Sequence, residues 1–364
     1  MKKIMLLCVS SQNVLTFRRS LIEILRCSGY EVSVVAFDNQ YQSEIEALGV
    51  EFRAIDDSNR SLNPFKALSL KKKYKKLIKE MSPDVVFTFM LKPNTFGVLA
   101  AKSAGVKVIY SMVEGIGDVF INNSLKWKLV RFAVSYLYKR SLKHSKRVFF
   151  LNPDDRGEFL KRKFVREEQI VSLNGIGVDL QRFEEKPLKN KNVFLMVARM
   201  LRTKGIFEYC ECARRVRAAR PEAIFNYLGG EGNVTVEDIR GYIDDGSVNY
   251  LGTTSDVRPY LEDSTFLILP SYREGCPVSV MEAEAVGRGI ITTTNPGCKE
   301  TVFDGVNGFL VAGKDIDGMV EKCIYVIDHP EEAEKMCIAS RRFAEEHFDK
   351  DKINKNILDV LEQI

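Results

Sequence analysis

Apolar runs of three to six residues recur along the chain, and between them apolar side chains return every three or four positions. In the first half the runs fall at residues 4–9, 32–36, 85–89, 106–110 and 147–151. In the second half they fall at 193–198, 224–228, 248–251, 266–269, 289–293 and 309–311. Short uninterrupted runs suit strands buried on both faces, and the intervening period suits helices. Strands alternating with helices in both halves predict the α/β class: two doubly wound, Rossmann-like domains with parallel sheets. Each such sheet opens its ligand crevice at the carboxyl ends of its strands, so the expectation is two crevices facing one central cleft. The charged segment 184–192, interrupted by Pro187, marks the boundary. It gives a first domain over 1–186 and a second over 187–347, followed by an amphipathic helix over 348–364.

With 364 residues, each half can build a sizeable core. The apolar run after Met1-Lys2-Lys3 is too short for a signal peptide and reads as a first strand, and no stretch approaches a transmembrane span. Eight scattered cysteines and three isolated histidines lack metal-ligand spacing, which fits reduced thiols in a cytosolic protein and no bound metal. The net charge of +5 conceals an asymmetry. Residues 1–190 carry 33 Lys and Arg against 20 Asp and Glu (+13), and residues 191–364 carry 21 against 29 (−8). A basic half beside an acidic half points the first toward an anionic surface, either nucleic acid or a membrane leaflet. Its aromatics follow no nucleic-acid recognition module, so nucleic acid is not the expected partner.

The chemistry concentrates in Ser271-Tyr272-Arg273-Glu274-Gly275-Cys276-Pro277-Val278-Ser279-Val280-Met281-Glu282, directly after the 266–269 run. Gly275 allows a sharp loop and Pro277 suits the start of a helix, so Glu274 falls on the loop and Glu282 inside the helix. Unsatisfied N–H groups of the first helical turn favour an anion, and two carboxylates favour hydroxyls. Phosphate and hydroxyls together describe a nucleotide sugar.

This stretch resembles the Glu-x7-Glu signature of the retaining glycosyltransferases of family 4, which have the GT-B fold. Three further segments are similar to that family: Asn174-Gly175-Ile176-Gly177-Val178-Asp179, Val197-Ala198-Arg199-Met200-Leu201-Arg202-Thr203-Lys204-Gly205, and Asp304-Gly305-Val306-Asn307-Gly308. The resemblance implies that Arg199 and Lys204 hold the donor diphosphate in place of a metal, with no cofactor beyond a UDP-sugar co-substrate. It implies that Glu274 contacts the donor sugar near the reacting carbon and that Glu282 accepts hydrogen bonds from the ribose. Gly275, Cys276, Pro277, Val278 and Ser279 then line the donor, and the helix over 348–364 is expected to pack back on the first domain. Glu300 resembles a further family position.

Ser61-Leu62-Asn63-Pro64-Phe65, Asn94-Thr95-Phe96-Gly97 and Val113-Glu114-Gly115-Ile116-Gly117 are similar to one bacterial branch. That branch adds an N-acetylhexosamine, often N-acetylgalactosamine, to undecaprenyl-diphosphate-linked saccharides in N-glycan, O-antigen or capsule assembly. It implies a polyprenyl-diphosphate saccharide as acceptor, with Lys92, Asn94, Glu114 and Gly115 as acceptor contacts. Glu114 stands where many relatives carry a His; it either accepts a substrate hydroxyl or merely shapes a Gly turn. Lys71, Lys72, Lys73, Lys75 and Lys76 line a predicted helix and form either a solvated face or a contact with anionic lipid. A second basic set, from Lys126 to Arg147, surrounds Trp127, Phe132, Tyr136 and Tyr138. The expected location is the cytoplasm, peripheral on the inner face of the plasma membrane. Two alternatives stay open: a family 4 enzyme with a soluble protein or small-molecule acceptor, and a nucleotide-sugar-binding module without turnover.

Overall fold

The computed structural model describes residues 1–57, 64–116, 120 and 124–363. Ser61, Leu62, Asn63 and Gly117 of the quoted segments lie outside these residues. The chain divides into two units, Met1–Gly175 with Asp351–Ile364, and Ile176–Lys350.

The first unit holds strands β1 (Lys2–Leu7), β2 (Tyr30–Ala36), β3 (Glu51–Ala54), β4 (Val85–Phe89), β5 (Val108–Val113), β6 (Arg147–Phe150) and β7 (Ile170–Ser172). All their pairings are parallel, in the order β3-β2-β1-β4-β5-β6-β7. The second unit holds β8 (Val193–Val197), β9 (Ile224–Leu228), β10 (Asn249–Tyr250), β11 (Phe266–Leu269), β12 (Gly289–Thr293) and β13 (Gly308–Val311). These are again parallel, in the order β10-β9-β8-β11-β12-β13. Both sheets therefore reverse their winding once, between β1 and β4 and between β8 and β11. Such a reversal leaves a crevice at the carboxyl ends of the two central strands.

Every residue of β4, β11 and β12 is buried, because helices cover both faces of a parallel sheet. This burial is what made their runs continuous in the sequence. Strands β3 and β7 have no such run: they lie at the sheet edges and are short, β3 largely exposed and β7 half-buried. The strand expected at 106–110 begins after Lys107 and extends to Val113.

The boundary expected at residue 186 is corrected: the first unit closes at Gly175. Val178 and Phe183 belong to the apolar core of the second unit, together with Phe348. The Val178 N–H donates to the Phe348 carbonyl at 2.7 Å, and the Lys350 N–H donates to the Val178 carbonyl at 3.2 Å. Gly177 adopts φ +80°, and a Cβ there would stand 2.5 Å from the Lys350 Cα. Burial, not the charge of the 184–192 segment, decides where the unit begins. The helix Lys350–Glu362 buries Ile353, Ile357, Leu358 and Leu361 along one face. The Asn354 amide donates to the Ser20 hydroxyl at 2.8 Å, and the Tyr110 hydroxyl to the Val360 carbonyl at 3.4 Å.

Arg288, immediately before β12, is wholly buried. Its guanidinium donates to the carbonyls of Leu261, Lys186, Val286, Gly287, Pro187 and Glu262 at 2.8–3.4 Å. One side chain thus ties together three segments at the amino-terminal end of the second sheet. Burial lowers its pKa from the ordinary guanidinium value. The ring of carbonyl dipoles compensates the buried cation.

Candidate active site

At the β8/β11 reversal two loops leave neighbouring strands. The loop after β8 runs through Arg199, makes a single tight turn over Arg202–Lys204 and enters the helix Ile206–Ala219 at Gly205. The loop after β11 runs from Pro270 through Glu274 to the helix Val278–Ala285. Pro277 is the last residue before that helix, and its fixed φ sets the entry angle.

The loops interlock through backbone. The Tyr272 N–H donates to the Thr203 carbonyl at 2.9 Å. Gly205 adopts φ +77°, and a Cβ there would lie 2.3 Å from the Pro270 carbonyl oxygen, so only glycine lets the loops pass this closely. On its outer side the first loop is pinned by the Met200 N–H to the Gly230 carbonyl at 2.8 Å and by the Tyr227 hydroxyl to the Ala198 carbonyl at 2.8 Å. The second loop is pinned at Ser271, whose carbonyl accepts from the Thr293 hydroxyl at 2.8 Å and the Asn295 amide at 3.0 Å. The Glu274 N–H donates to the Pro296 carbonyl at 2.9 Å.

This frame brings Lys204 and Glu274 together, 70 residues apart in sequence, with Nζ and Oε1 at 2.5 Å. Glu274 is the more enclosed partner, its side chain 11% exposed against 26% for Lys204. Arg199 is exposed, and among the described residues its side chain makes no hydrogen bond or ion pair. The site thus offers an exposed cation, and a second cation whose carboxylate partner can be drawn to a neutral hydroxylated ligand when an anion takes the ammonium.

Glu282 sits half-buried in the second turn of its helix. Burial pushes its carboxyl up from 4.5 to about 7; the Arg182 cation opposes the shift and the Asp256 carboxylate adds to it. Hydrogen bonds from Arg258 hold Asp256 itself down, at about 2. The folded carboxyl binds its proton more tightly than the unfolded one. The stability this lends is fully present below about pH 4.5 and is lost as pH rises through about 7. Arg182 and Asp256 were not legible as partners of Glu282, because the three come from separate segments. Glu300 accepts the Gly297 N–H at 2.8 Å and so braces the turn beneath Glu274.

The residues expected to contact the acceptor occupy the strand ends of the first unit, but most are already engaged. Asn94 is fully buried: its carbonyl accepts from the Thr88 hydroxyl at 2.7 Å and its amide donates to the Met112 carbonyl at 2.7 Å. Its expected role as an acceptor contact is corrected to a brace inside the wide turn Pro93–Gly97. Lys92 is also buried, and its ammonium lies 3.0 Å from the Asp57 carboxylate. Glu114 forms an ion pair with Arg18, whose guanidinium also lies 4.3 Å from the centre of the Phe89 ring. Gly115 adopts φ +138°, a turn conformation that suits glycine. In the helix Pro64–Met81, Lys72, Lys73 and Lys76 are exposed, and Lys71 and Lys75 are half-buried. Lys73 donates to the Asp56 carbonyl at 2.6 Å.

Residues 178–343 match the family model described as glycosyl transferases group 1, and residues 3–152 match the glycosyl transferase 4-like model. A relative from Campylobacter jejuni is N,N'-diacetylbacillosaminyl-diphospho-undecaprenol alpha-1,3-N-acetylgalactosaminyltransferase. It is 32% identical over 327 residues, covering 86% of this chain and 86% of its own length. The chain belongs to the group 1 glycosyltransferases. Within this family it is also similar to an Escherichia coli UDP-Gal:alpha-D-GlcNAc-diphosphoundecaprenol alpha-1,3-galactosyltransferase. That relative is 28% identical, over 70% of this chain and 68% of its own. Among solved structures, Anabaena Alr3699/HepE in complex with UDP matches with a TM-score of 0.80 at 18% identity, covering 100% of both chains. The fold is GT-B, built from two parallel-sheet Rossmann-like units.

Proposed function

We propose that this glycosyltransferase moves an N-acetylhexosamine, N-acetylgalactosamine above others, from a UDP donor to the saccharide of an undecaprenyl-diphosphate acceptor, with retention of configuration. The observation that carries this reading is the meeting of Lys204 and Glu274 at 2.5 Å across two strand-end loops, with Arg199 exposed on the same loop as Lys204. The Campylobacter and Escherichia coli relatives, both named for diphosphoundecaprenol-linked substrates, support the acceptor class.

In the proposed reaction the bond between the sugar C1 and the UDP β-phosphate oxygen breaks, and its electron pair stays on the phosphate. Arg199 and Lys204 stabilise that growing negative charge, a contribution that a metal supplies in other transferases. The acceptor hydroxyl oxygen bonds to C1 on the face the phosphate leaves, and its proton passes to the departing phosphate oxygen. Glu274 orients the sugar and stabilises positive charge at C1, and Glu282 accepts the ribose hydroxyls. In this reading the lipid-linked acceptor brings the reaction to a membrane surface, and the UDP donor makes the cytoplasmic face the proposed one. Among the described residues no helix is long and apolar enough to cross one.

The test is transfer of label from a panel of UDP-sugars into an organic-extractable undecaprenyl-diphosphate saccharide, with Glu282→Ala as control. The expected result is label from a single UDP-N-acetylhexosamine, lost in the control. Label entering only water-soluble acceptors would replace the lipid acceptor. UDP binding with no transfer to any acceptor would reduce the protein to a binding module.

A further inference from the structure

The helix Leu125–Ser141 carries an apolar face that is exposed among the described residues. Leu125, Leu129, Phe132 and Tyr136 are 80%, 75%, 77% and 56% exposed. Their spacing of four, three and four residues places all four along one side of a helix. The opposite side accounts for the folding of the helix: Val134 and Tyr138 are buried, and with Trp127 and Val130 they pack on the core around Phe159 and Phe164. The exposed stripe therefore contributes nothing to that core.

Its surroundings are cationic. Residues 121–153 contain eight Lys and Arg and no Asp or Glu. Where the stripe ends, a cavity of about 480 Å³ is lined by Tyr136, Lys139, Arg140, Lys143, Lys163 and Arg166. Arg166 is paired with Glu168, and the Arg140 guanidinium rests 5.7 Å from the centre of the Tyr136 ring. Among the described residues Lys139, Lys143 and Lys163 form no ion pair. His144 on the following turn has its pKa lowered, first by burial and then by Lys143, Lys102 and Arg140.

We infer that this helix is the element that docks the protein on an anionic phospholipid bilayer. Leu125, Leu129, Phe132 and Tyr136 enter the interface, and the cationic cavity takes a lipid phosphate headgroup. Apolar side chains on one face with Lys and Arg beside them match the two components of a bilayer surface. A second protein chain would satisfy the apolar stripe and leave the unpaired cations uncompensated. The lysine-rich helix Pro64–Met81 fits the role less well. It buries Leu70, Tyr74 and Ile78, and among its described side chains only Leu68 is a large exposed apolar group. The inference rests on the proposed function only for the reason to be at a membrane, a lipid-anchored acceptor.

The experiment is sedimentation of the full chain with phosphatidylethanolamine vesicles, with and without phosphatidylglycerol, in the absence of substrates. Transfer to a short-chain acceptor dispersed in detergent is measured in parallel. Wild type is expected to bind the phosphatidylglycerol vesicles. Leu129→Ser with Phe132→Ser is expected to bind them about tenfold or more weakly while keeping its transfer rate and thermal midpoint. Lys139→Glu with Lys143→Glu is expected to abolish the preference for phosphatidylglycerol, and Lys71→Glu with Lys72→Glu to leave binding within about twofold. Vesicle binding that persists in the Leu129/Phe132 variant overturns the inference. So does a wild type that ignores vesicles, or a stripe variant whose only change is from dimer to monomer. If wild type binds vesicles as expected but transfers no sugar, the docking surface stands and the proposed function falls.

Discussion

Replacement of Lys204 by alanine is expected to lower kcat by about 10²–10³-fold, the range seen when a preorganised group facing developing negative charge is removed. Its stability effect is expected to stay below about 1 kcal/mol, because a partly exposed ion pair contributes little to folding. The loop geometry does not depend on the ammonium. It is held by the Tyr272–Thr203 backbone bond, by the close pass of Gly205 under Pro270 and by the Ser271 carbonyl clamp. Lys204→Arg keeps the charge on a planar fork of different reach and recovers only part of the rate. Turnover measured at saturating donor, beside thermal unfolding of the same preparations, checks this. A variant that loses stability in step with activity would make Lys204 a structural residue.

The second large effect concerns folding. Arg288→Met is expected to destabilise the second unit by about 3–5 kcal/mol, the usual cost of removing one partner from a buried charged network. Methionine fills much of the volume but takes the cation away from six carbonyls, of which those of Leu261 and Val286 keep bonds from Ser264 and Lys186. For a unit of this size that energy corresponds to a fall in thermal midpoint of about 10 °C. Arg288 precedes β12, whereas Glu274 and Lys204 follow the carboxyl ends of their strands, so kcat of the folded variant is expected to change less than about threefold. A midpoint shift below about 2 °C would mean that water or side-chain rearrangement satisfies those carbonyls.

The central strands were legible because parallel sheets bury both faces, which forces runs such as Phe266 to Leu269. The edge strands β3 and β7 were not, since a short strand with one neighbour and incompletely buried side chains needs no long apolar run. In the second unit, the places of Glu274, Glu282, Arg199 and Lys204 on the loops and helix after β8 and β11 were readable from local order: strand, glycine turn, helix start. The electrostatics around them were not. Arg182 and Asp256 reach Glu282 from separate parts of the chain, and a sequence does not record which distant charges a fold will bring together.

The same limit holds in the first unit. Glu114, Lys92 and Asn94 stand near strand ends as expected, but their partners Arg18, Asp57 and Thr88 could not be read from any local pattern. Lysine counts drew attention to Lys71–Lys76. The unusual property, an apolar stripe left uncovered on the helix Leu125–Ser141, becomes visible only when the packed side of that helix is known.

The most direct measurement is a calorimetric titration of UDP into wild type, Arg199→Ala, Lys204→Ala and Glu282→Gln at several pH values. Each variant is expected to bind UDP about tenfold or more weakly. Wild-type affinity is expected to rise more steeply than that of Glu282→Gln as pH passes through about 7, because the ionised carboxylate is the stronger acceptor for ribose hydroxyls. UDP binding unchanged in all three variants, with parallel pH profiles, would contradict the placement of the donor on the β8 and β11 loops.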